Sequence, residues 1–570
     1  MLRTLLIPAL LLLLLGVVCF SLTATQRGPA TITVASADDI KTLDPGAMSW
    51  AVDIRAATGL WEGLTTNDPI TLEPRPGVAS SWEISPDTLT YTFHLRPNAR
   101  WSNGDPVTAF DFAFAWQRNL RPVTAAQYLN MLLHIQGAQA YYDALEAAAK
   151  PTAGVPAGRR ADEGVGTTLP APPAQVSGIV VVDPHTLVVH LAGPCTYFLD
   201  LLAFPPYFPL HEASMRPFLI DHNPALGYAP QWIRPPNLVS NGPFQLTDWQ
   251  FKRYLQFEPN PYYWDRSAVQ CPRLRLVSYA GDARAALLAY QTGVVDVLSW
   301  VPQQFAPELL AQVRAGQRRD VQFQPVFGSY YYEFNCLKKP FNDPRIRKAL
   351  ALAIDKRQLT ERVLRMGQRP LNVLVPPESI PGYASPAGLE MDVPAARRLL
   401  KEAGYPDGAG LEPVEILYTN TDLIHDRIAQ AIGQMWQENL HIAVTYRGLE
   451  RATFGADRKS QHFGIARGGW YGDYPDPMTW LNLLRTNDGD NDGKYSNPRF
   501  DALLDQADAE ALPAKRLALM VAAERILVEE DFPFIPLYQY ADGFVYDPAQ
   551  IAGMDLNVRM LVQFKYLRRR

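Results

Sequence analysis

The sequence predicts an α/β protein built from more than one lobe, and three observations carry that prediction. Between residues 414 and 446 an apolar alternation (Val414, Ile416, Tyr418) gives way to a fourfold spacing (Ile424, Ile428, Ile432, Trp436), and alternation then returns (Ile442, Val444, Tyr446). That order is a β-α-β unit, which folds as a right-handed crossover onto one sheet. The chain has 570 residues, of which 47% are hydrophobic, enough for two or three cores rather than one.

The first residues are a different material. Arg3 precedes an almost wholly apolar run from Leu5 to Phe20, the pattern of an export signal. Residues 1–25 are therefore expected to be a signal peptide or an N-terminal anchor. Ala24 offers a cleavage point, with Leu22 an unusual residue two places before it. Cys19 follows Val18, where a lipidation signal has a small residue.

Thr31 to Ala35 alternates as a strand, and Tyr91 to Arg96 does so more clearly. Asn103-Gly104 marks a turn, and Thr108 with Asp111 forms a capping box that opens an aromatic helix through Trp116. Ile179–Asp183 and Thr186–Leu191 flank Asp183-Pro184-His185 as a hairpin. Between that helix and this hairpin, residues 150–175 are rich in Pro, Gly, Ala and Thr without periodicity. This composition buries too little to offset its ordering entropy, so a mobile surface insertion is expected. Further on, Asp343-Pro344 caps a helix carrying Ile346, Leu350 and Ile354, and another helix ends near Gly404.

Composition excludes several classes. The net charge is −5 and no basic stripe appears beyond Arg568-Arg569-Arg570, which argues against nucleic acid as a partner. Cys195, Cys271 and Cys336 leave an odd count in the exported chain, so at most one disulfide joins two of them. Neither they nor the nine histidines show zinc-ligand spacing, so no metal and no cofactor is expected.

The most informative stretch runs from Ala466 to Leu481. It sets Asp473 among Trp470, Tyr471, Tyr474 and Trp480 in a Gly/Pro-rich run that reads as an irregular loop. A carboxylate walled by aromatic rings is poorly solvated and favours a cationic partner. Arg467 is the local candidate, and a cationic ligand is the other. The plainer reading makes Asp473 a turn aspartate that accepts backbone amides, and Trp480 a packing residue.

A series of segments then resembles one family over nearly the whole exported chain. They include Leu43-Asp44-Pro45, Trp61-Glu62-Gly63-Leu64, Trp101-Ser102-Asn103-Gly104, Asn260-Pro261-Tyr262-Tyr263-Trp264, Tyr330 to Glu333, Phe341 to Arg347 and Ala466 to Asp473. The family is that of the periplasmic oligopeptide-binding proteins, the OppA-like solute-binding receptors of ABC peptide importers. The resemblance implies a periplasmic-binding-protein (Venus-flytrap) fold: two hinged lobes and an extra α+β domain. On this chain lobe I maps to 26–61, 211–327 and 541–570, the extra domain to 62–210 and lobe II to 328–540.

It further implies a non-enzymatic, monomeric periplasmic receptor that captures short peptides and delivers them to ABC transporter permease subunits. Asp473 matches the aspartate that pairs with a peptide α-ammonium, Gly469 and Tyr471 match backbone partners of the peptide, and Tyr128 matches a contact near that end. Trp470 is expected to wall the same end. Arg467, Arg458 and His425 fall near positions facing the C-terminal carboxylate, while Tyr331, Glu333 and Tyr540 match other pocket positions. Three departures stand out: Ala351 where the family has lysine, Ser49 where it has glutamate, and Gly328 with Tyr471 where it has a disulfide. The first two motivate a second expectation, the same fold dedicated to cell-wall (murein) or cationic peptides. From other classes come an exported hydrolase using Asp473 and Asp476, and a chaperone-like protein. Against the hydrolase, no nucleophile elbow, zinc motif or Cys/His signature is present.

Overall fold

Two strands of unusual length, Val321–Phe334 and Phe534–Tyr546, run antiparallel through the middle of one eleven-stranded sheet and serve both of its halves. The structure is a computed structural model describing residues 31–149, 175–420 and 423–570. The expected signal or anchor (1–25) lies outside the described residues, as does the expected insertion except for Gln175.

On one side of the long pair the sheet continues through Ile465–Tyr471 and Val414–Thr419 to Val444–Leu449 at the edge. On the other it continues through Val297–Leu298, Thr31–Ser36, Arg273–Ser278 and Tyr254–Pro259 to Phe244–Gln250, and the short strand Arg369–Pro370, paired with Phe534–Tyr546 off this path, is the eleventh. These halves are the cores of the two lobes. Between the long strands, Val321 to Pro325 pair with Val545 to Ala541, and Ser329 to Glu333 pair with Gln539 to Phe534. The register shifts between Pro325 and Ser329 and again between Tyr330 and Tyr331. Backbone groups released there are satisfied elsewhere: the Phe327 amide donates to the Val558 carbonyl (2.7 Å), and the Gly472 amide donates to the Phe327 carbonyl (2.9 Å). The Gln539 side chain donates to the Val326 carbonyl at 3.0 Å. A bulge bends the strand that carries it, and residues 326–328 have no ladder partner on Phe534–Tyr546.

The predicted β-α-β unit is present as Val414–Thr419, Leu423–Leu440 and Val444–Leu449, with the two strands parallel. Its helix buries Ile428, Ile432 and Trp436, and the Trp436 indole donates to the Leu350 carbonyl (2.9 Å) on the helix Pro344–Leu352. Asp343 caps that helix, accepting from the Arg345 amide at 2.9 Å. The helix Val393–Glu402 stops before Gly404, whose φ of +95° suits glycine. The departure Ala351 is buried in this same core, 4% exposed.

Thr31–Ser36 is a strand, but its alternation has another cause than a solvated face. It is central and parallel to both neighbours, and Thr31 and Thr33 are buried together with Ile32 and Val34.

The extra domain is α+β. Its four-stranded antiparallel sheet runs Ala79–Ile84, Thr90–Leu95, Thr186–His190, Ile179–Asp183, and the last two form the predicted hairpin. Tyr91, Phe93 and Leu95 face its core. The capping box holds, with the Thr108 amide donating to Asp111 at 2.7 Å, and the helix Ala109–Asn119 buries Phe112 and Trp116.

Candidate functional site

The stretch expected to be an irregular loop begins as a strand. Ile465–Tyr471 pairs with Phe334 to Gly328 along its whole length, and the chain becomes irregular only from Gly472. The glycines that suggested a loop are close-approach positions inside a strand. A Cβ on Gly468 would lie 2.2 Å from the Tyr331 ring, and one on Gly469 would lie 2.3 Å from the Tyr540 hydroxyl.

The opposite edge of this strand pairs with Ile416 and Leu417 at Ile465 and Ala466 only. From Arg467 to Tyr471 that edge has no strand partner among the described residues. Two residues past its end stands Asp473. Among the described residues no cation lies within 4.0 Å of its carboxylate. Burial, and secondarily the charge of Asp490, pushes it up to about 7. The plainer reading as a capping aspartate gains no support, because among the described residues the Asp473 side chain accepts no backbone amide. Its own amide donates to the Thr479 hydroxyl at 3.1 Å, which also accepts from the half-buried Trp470 indole at 3.3 Å. Trp480 is fully buried and donates to Ser329 at 3.1 Å, a packing role as expected.

Tyr128 reaches this end from the extra domain. Its hydroxyl is pushed up by burial and by the Asp473 charge, and its ring meets Phe204 edge-on at 5.1 Å. Beside it, Tyr474 stacks on Tyr197 of the extra domain at 4.3 Å and 7°. Asp476 is held by Arg516 through two hydrogen bonds, each side chain 5% exposed, and Arg516 also donates to Thr196 (3.2 Å). With its carboxylate committed to a guanidinium, Asp476 is unsuited to share acid–base work with Asp473.

The register divides the remaining candidates between the two faces of the sheet. On one face lie Arg467, Gly469 and Tyr471 with Tyr330 and Tyr332. Tyr471, 58% exposed, stacks on Tyr540 at 4.7 Å and 6°, and Gly328 makes room, since a Cβ there would lie 2.8 Å from the Tyr471 ring. Gly328 and Tyr471 thus accommodate an aromatic stack. Arg467 donates to the Tyr540 hydroxyl (2.9 Å) and lies 5.0 Å from the Tyr330 ring, not on Asp473. His425 joins this group, its Nδ1 3.0 Å from the Tyr330 hydroxyl.

The other face carries Tyr331, Glu333 and Trp470. Glu333 is buried and takes the Arg458 Nε–H at 2.6 Å, while Arg458 also reaches Asp492 at 3.1 Å. Tyr331 meets Phe534 at 5.7 Å over Gly468. Sequence reasoning missed Thr479, Tyr197 and Tyr330, whose roles depend on contacts between distant segments. The signal available for the strand was Gly468-Gly469 facing Tyr-rich segments. Cys195, Cys271 and Cys336 are free thiols, so no disulfide joins them. Among the described residues, no helix is long and apolar enough to cross a membrane.

Comparison with known proteins fits this architecture. The chain is 33% identical over 527 residues to the periplasmic murein peptide-binding protein MppA of Escherichia coli, covering 91% of this chain and 89% of the relative. It is 31% identical over 531 residues to the oligopeptide-binding protein OppA of Bacillus subtilis, covering 92% and 90%. Among solved structures, the unliganded open form of MppA matches with a TM-score of 0.75 at 30% identity, over 95% of this chain and 97% of that one. Haemophilus influenzae OppA in complex with RPPGFSPFR matches with a TM-score of 0.72 at 29% identity, over 95% and 99%. The model of the bacterial extracellular solute-binding proteins, family 5 (middle region), matches residues 73–492. With that match spanning most of its length, the chain belongs to the bacterial extracellular solute-binding proteins of family 5.

Proposed function

We propose that the protein captures short peptides between its lobes in the periplasm and delivers them to an ABC-type membrane permease. One observation carries the reading: a strand edge, Arg467 to Tyr471, that has no strand partner among the described residues and ends at a desolvated carboxylate with no cation among them. An extended peptide supplies what both features need, a row of backbone donors and acceptors and an α-ammonium. Recognition through the backbone tolerates many side chains. The relatives named for murein peptides and oligopeptides support the same class of ligand.

Asp473 anchors the ammonium, Gly469 and Tyr471 supply backbone partners, Trp470 walls that end, and Tyr128 covers it from the extra domain. Arg467, with a tyrosine hydroxyl rather than a carboxylate as partner, faces the peptide's carboxylate end, with His425 and Tyr540 on the same face. Tyr331, Glu333 and Arg458, on the opposite face, serve as the frame of the strand. The lobes are taken as 26–61, 211–327 and 541–570 for the first and 328–540 for the second, with 62–210 as the extra domain. The protein acts as a monomer and performs no chemistry on its ligand. Closure about residues 326–328 excludes water and strengthens the Asp473 ion pair by lowering the local dielectric.

Calorimetry with a short peptide tests the anchor. Asp473→Ala is expected to lower affinity about 10²–10³-fold, the scale of a buried charge left without its partner. N-acetylation of the peptide should do the same to the wild-type protein. Unchanged affinity in both would sink the reading. Mass spectrometry of co-purified ligand distinguishes general oligopeptides from cell-wall peptides.

A further inference from the structure

Trp50 stands immediately before the helix Ala51–Leu60 of the first lobe, half-buried, and carries a cation from each lobe. Lys41 Nζ lies 3.1 Å from its ring centroid, and Arg451 Cζ lies 5.2 Å away. Lys41 belongs to the segment after the strand Thr31–Ser36, and its amide donates to buried Asp53 at 2.9 Å, which fixes that segment. Arg451 opens the helix Arg451–Lys459 at the end of Val444–Leu449, the edge strand of the second lobe. Among the described residues Arg451 has no carboxylate within 4.0 Å and no side-chain hydrogen bond. Its charge is directed at the indole of the opposite lobe.

Position gives this contact leverage. Within the second lobe, Val444–Leu449 is the strand farthest from the long pair that joins the lobes. A rotation about residues 326–328 displaces each point in proportion to its distance from the axis. A contact at the outer edge is therefore among the first to part on opening, while the register of the long strands is undisturbed.

We propose that Trp50 and Arg451 form a latch at the outer edge of the cleft, positioning residues that hold the lobes closed and set how long a ligand is retained. Lys41 orients the indole from its own lobe. The inference rests on the peptide-capture reading for its ligand, but the latch itself is a property of the free protein.

Stopped-flow kinetics with a labelled short peptide tests it. Trp50→Ala and Arg451→Ala should each raise the release rate about 2–5-fold, the range of an exposed cation–π contact, with the association rate changed less than twofold. The double variant should be no faster than the faster single one, and Trp50→Phe should retain part of the effect. Unchanged release, or effects that multiply in the double variant, would overturn the latch. X-ray scattering of the free protein is the arm that needs no peptide: both single variants should enlarge the radius of gyration while circular dichroism stays wild-type. Identical scattering would also overturn the latch. If the variants open the free protein but no peptide binds the wild type, the latch stands and the peptide reading fails.

Discussion

The Asp473 amide nitrogen lies 3.1 Å from the Thr479 hydroxyl oxygen, and that same oxygen takes the Trp470 indole proton. One side chain thus fixes both the carboxylate-bearing turn and its aromatic wall. Thr479→Val removes the acceptor from two donors, a loss of about 1–3 kcal/mol in comparable sites. Peptide affinity should fall about tenfold, whereas Thr479→Ser, which keeps the hydroxyl, should stay close to wild type. Equal losses in the two variants would show that the hydroxyl is not what positions Asp473.

Affinity should depend on pH through Asp473. In the free protein its carboxyl is held up to about 7 by burial, and a bound ammonium lowers it by favouring the charged form. Below about pH 7 binding must therefore expel a proton, and affinity falls as pH drops, by at most tenfold per unit. Above roughly pH 8 the free peptide's own ammonium, with an ordinary pKa of about 7.7–8.0, loses its charge and affinity falls again. Calorimetry at pH 6 in two buffers of different ionisation enthalpy should register proton release on binding. A flat profile from pH 5 to 9 would contradict the ion pair.

Gly468 is expected to resist substitution for reasons of space alone. Its Cβ position lies 2.2 Å from the Tyr331 ring, inside the sheet. Gly468→Ala should cost about 1–3 kcal/mol by overpacking, measured by urea unfolding. Gly468→Ala combined with Tyr331→Leu should recover part of that loss, because the two sites share one volume.

The Asp476–Arg516 pair should behave as a structural clamp. Asp476→Asn leaves a buried guanidinium without its counter-charge, a cost of about 3–5 kcal/mol. Replacing both partners, as Asp476→Leu with Arg516→Met, should cost less than the single change. Denaturant titration of the three proteins checks the order of stability.

Local signals carried much of this architecture. Asp343-Pro344, the Thr108/Asp111 box and the alternation on either side of Ile424 to Trp436 each act within a few residues, and each element formed there, although the helix after Asp343 ends at Leu352 and leaves Ile354 beyond it. The long pair was beyond such reading. Residues paired between Val321–Phe334 and Phe534–Tyr546 lie at least 201 positions apart, and Tyr330-Tyr331-Tyr332 shows no alternation because both faces of that strand are covered. At the candidate site, the desolvation of Asp473 was legible from its aromatic neighbours. The strand ahead of it was misread because glycine signals a turn locally, and only the tyrosines opposite reveal the tight fit. The division of Arg467 from Arg458 between two faces follows from register, which a single segment does not contain.

Because the two long strands each contribute hydrogen-bonded ladder to both lobes, melting either lobe would strip strands from the other. The two halves are therefore expected to unfold together, as one cooperative unit. Neither half exists as a module that a single cut in the chain could excise.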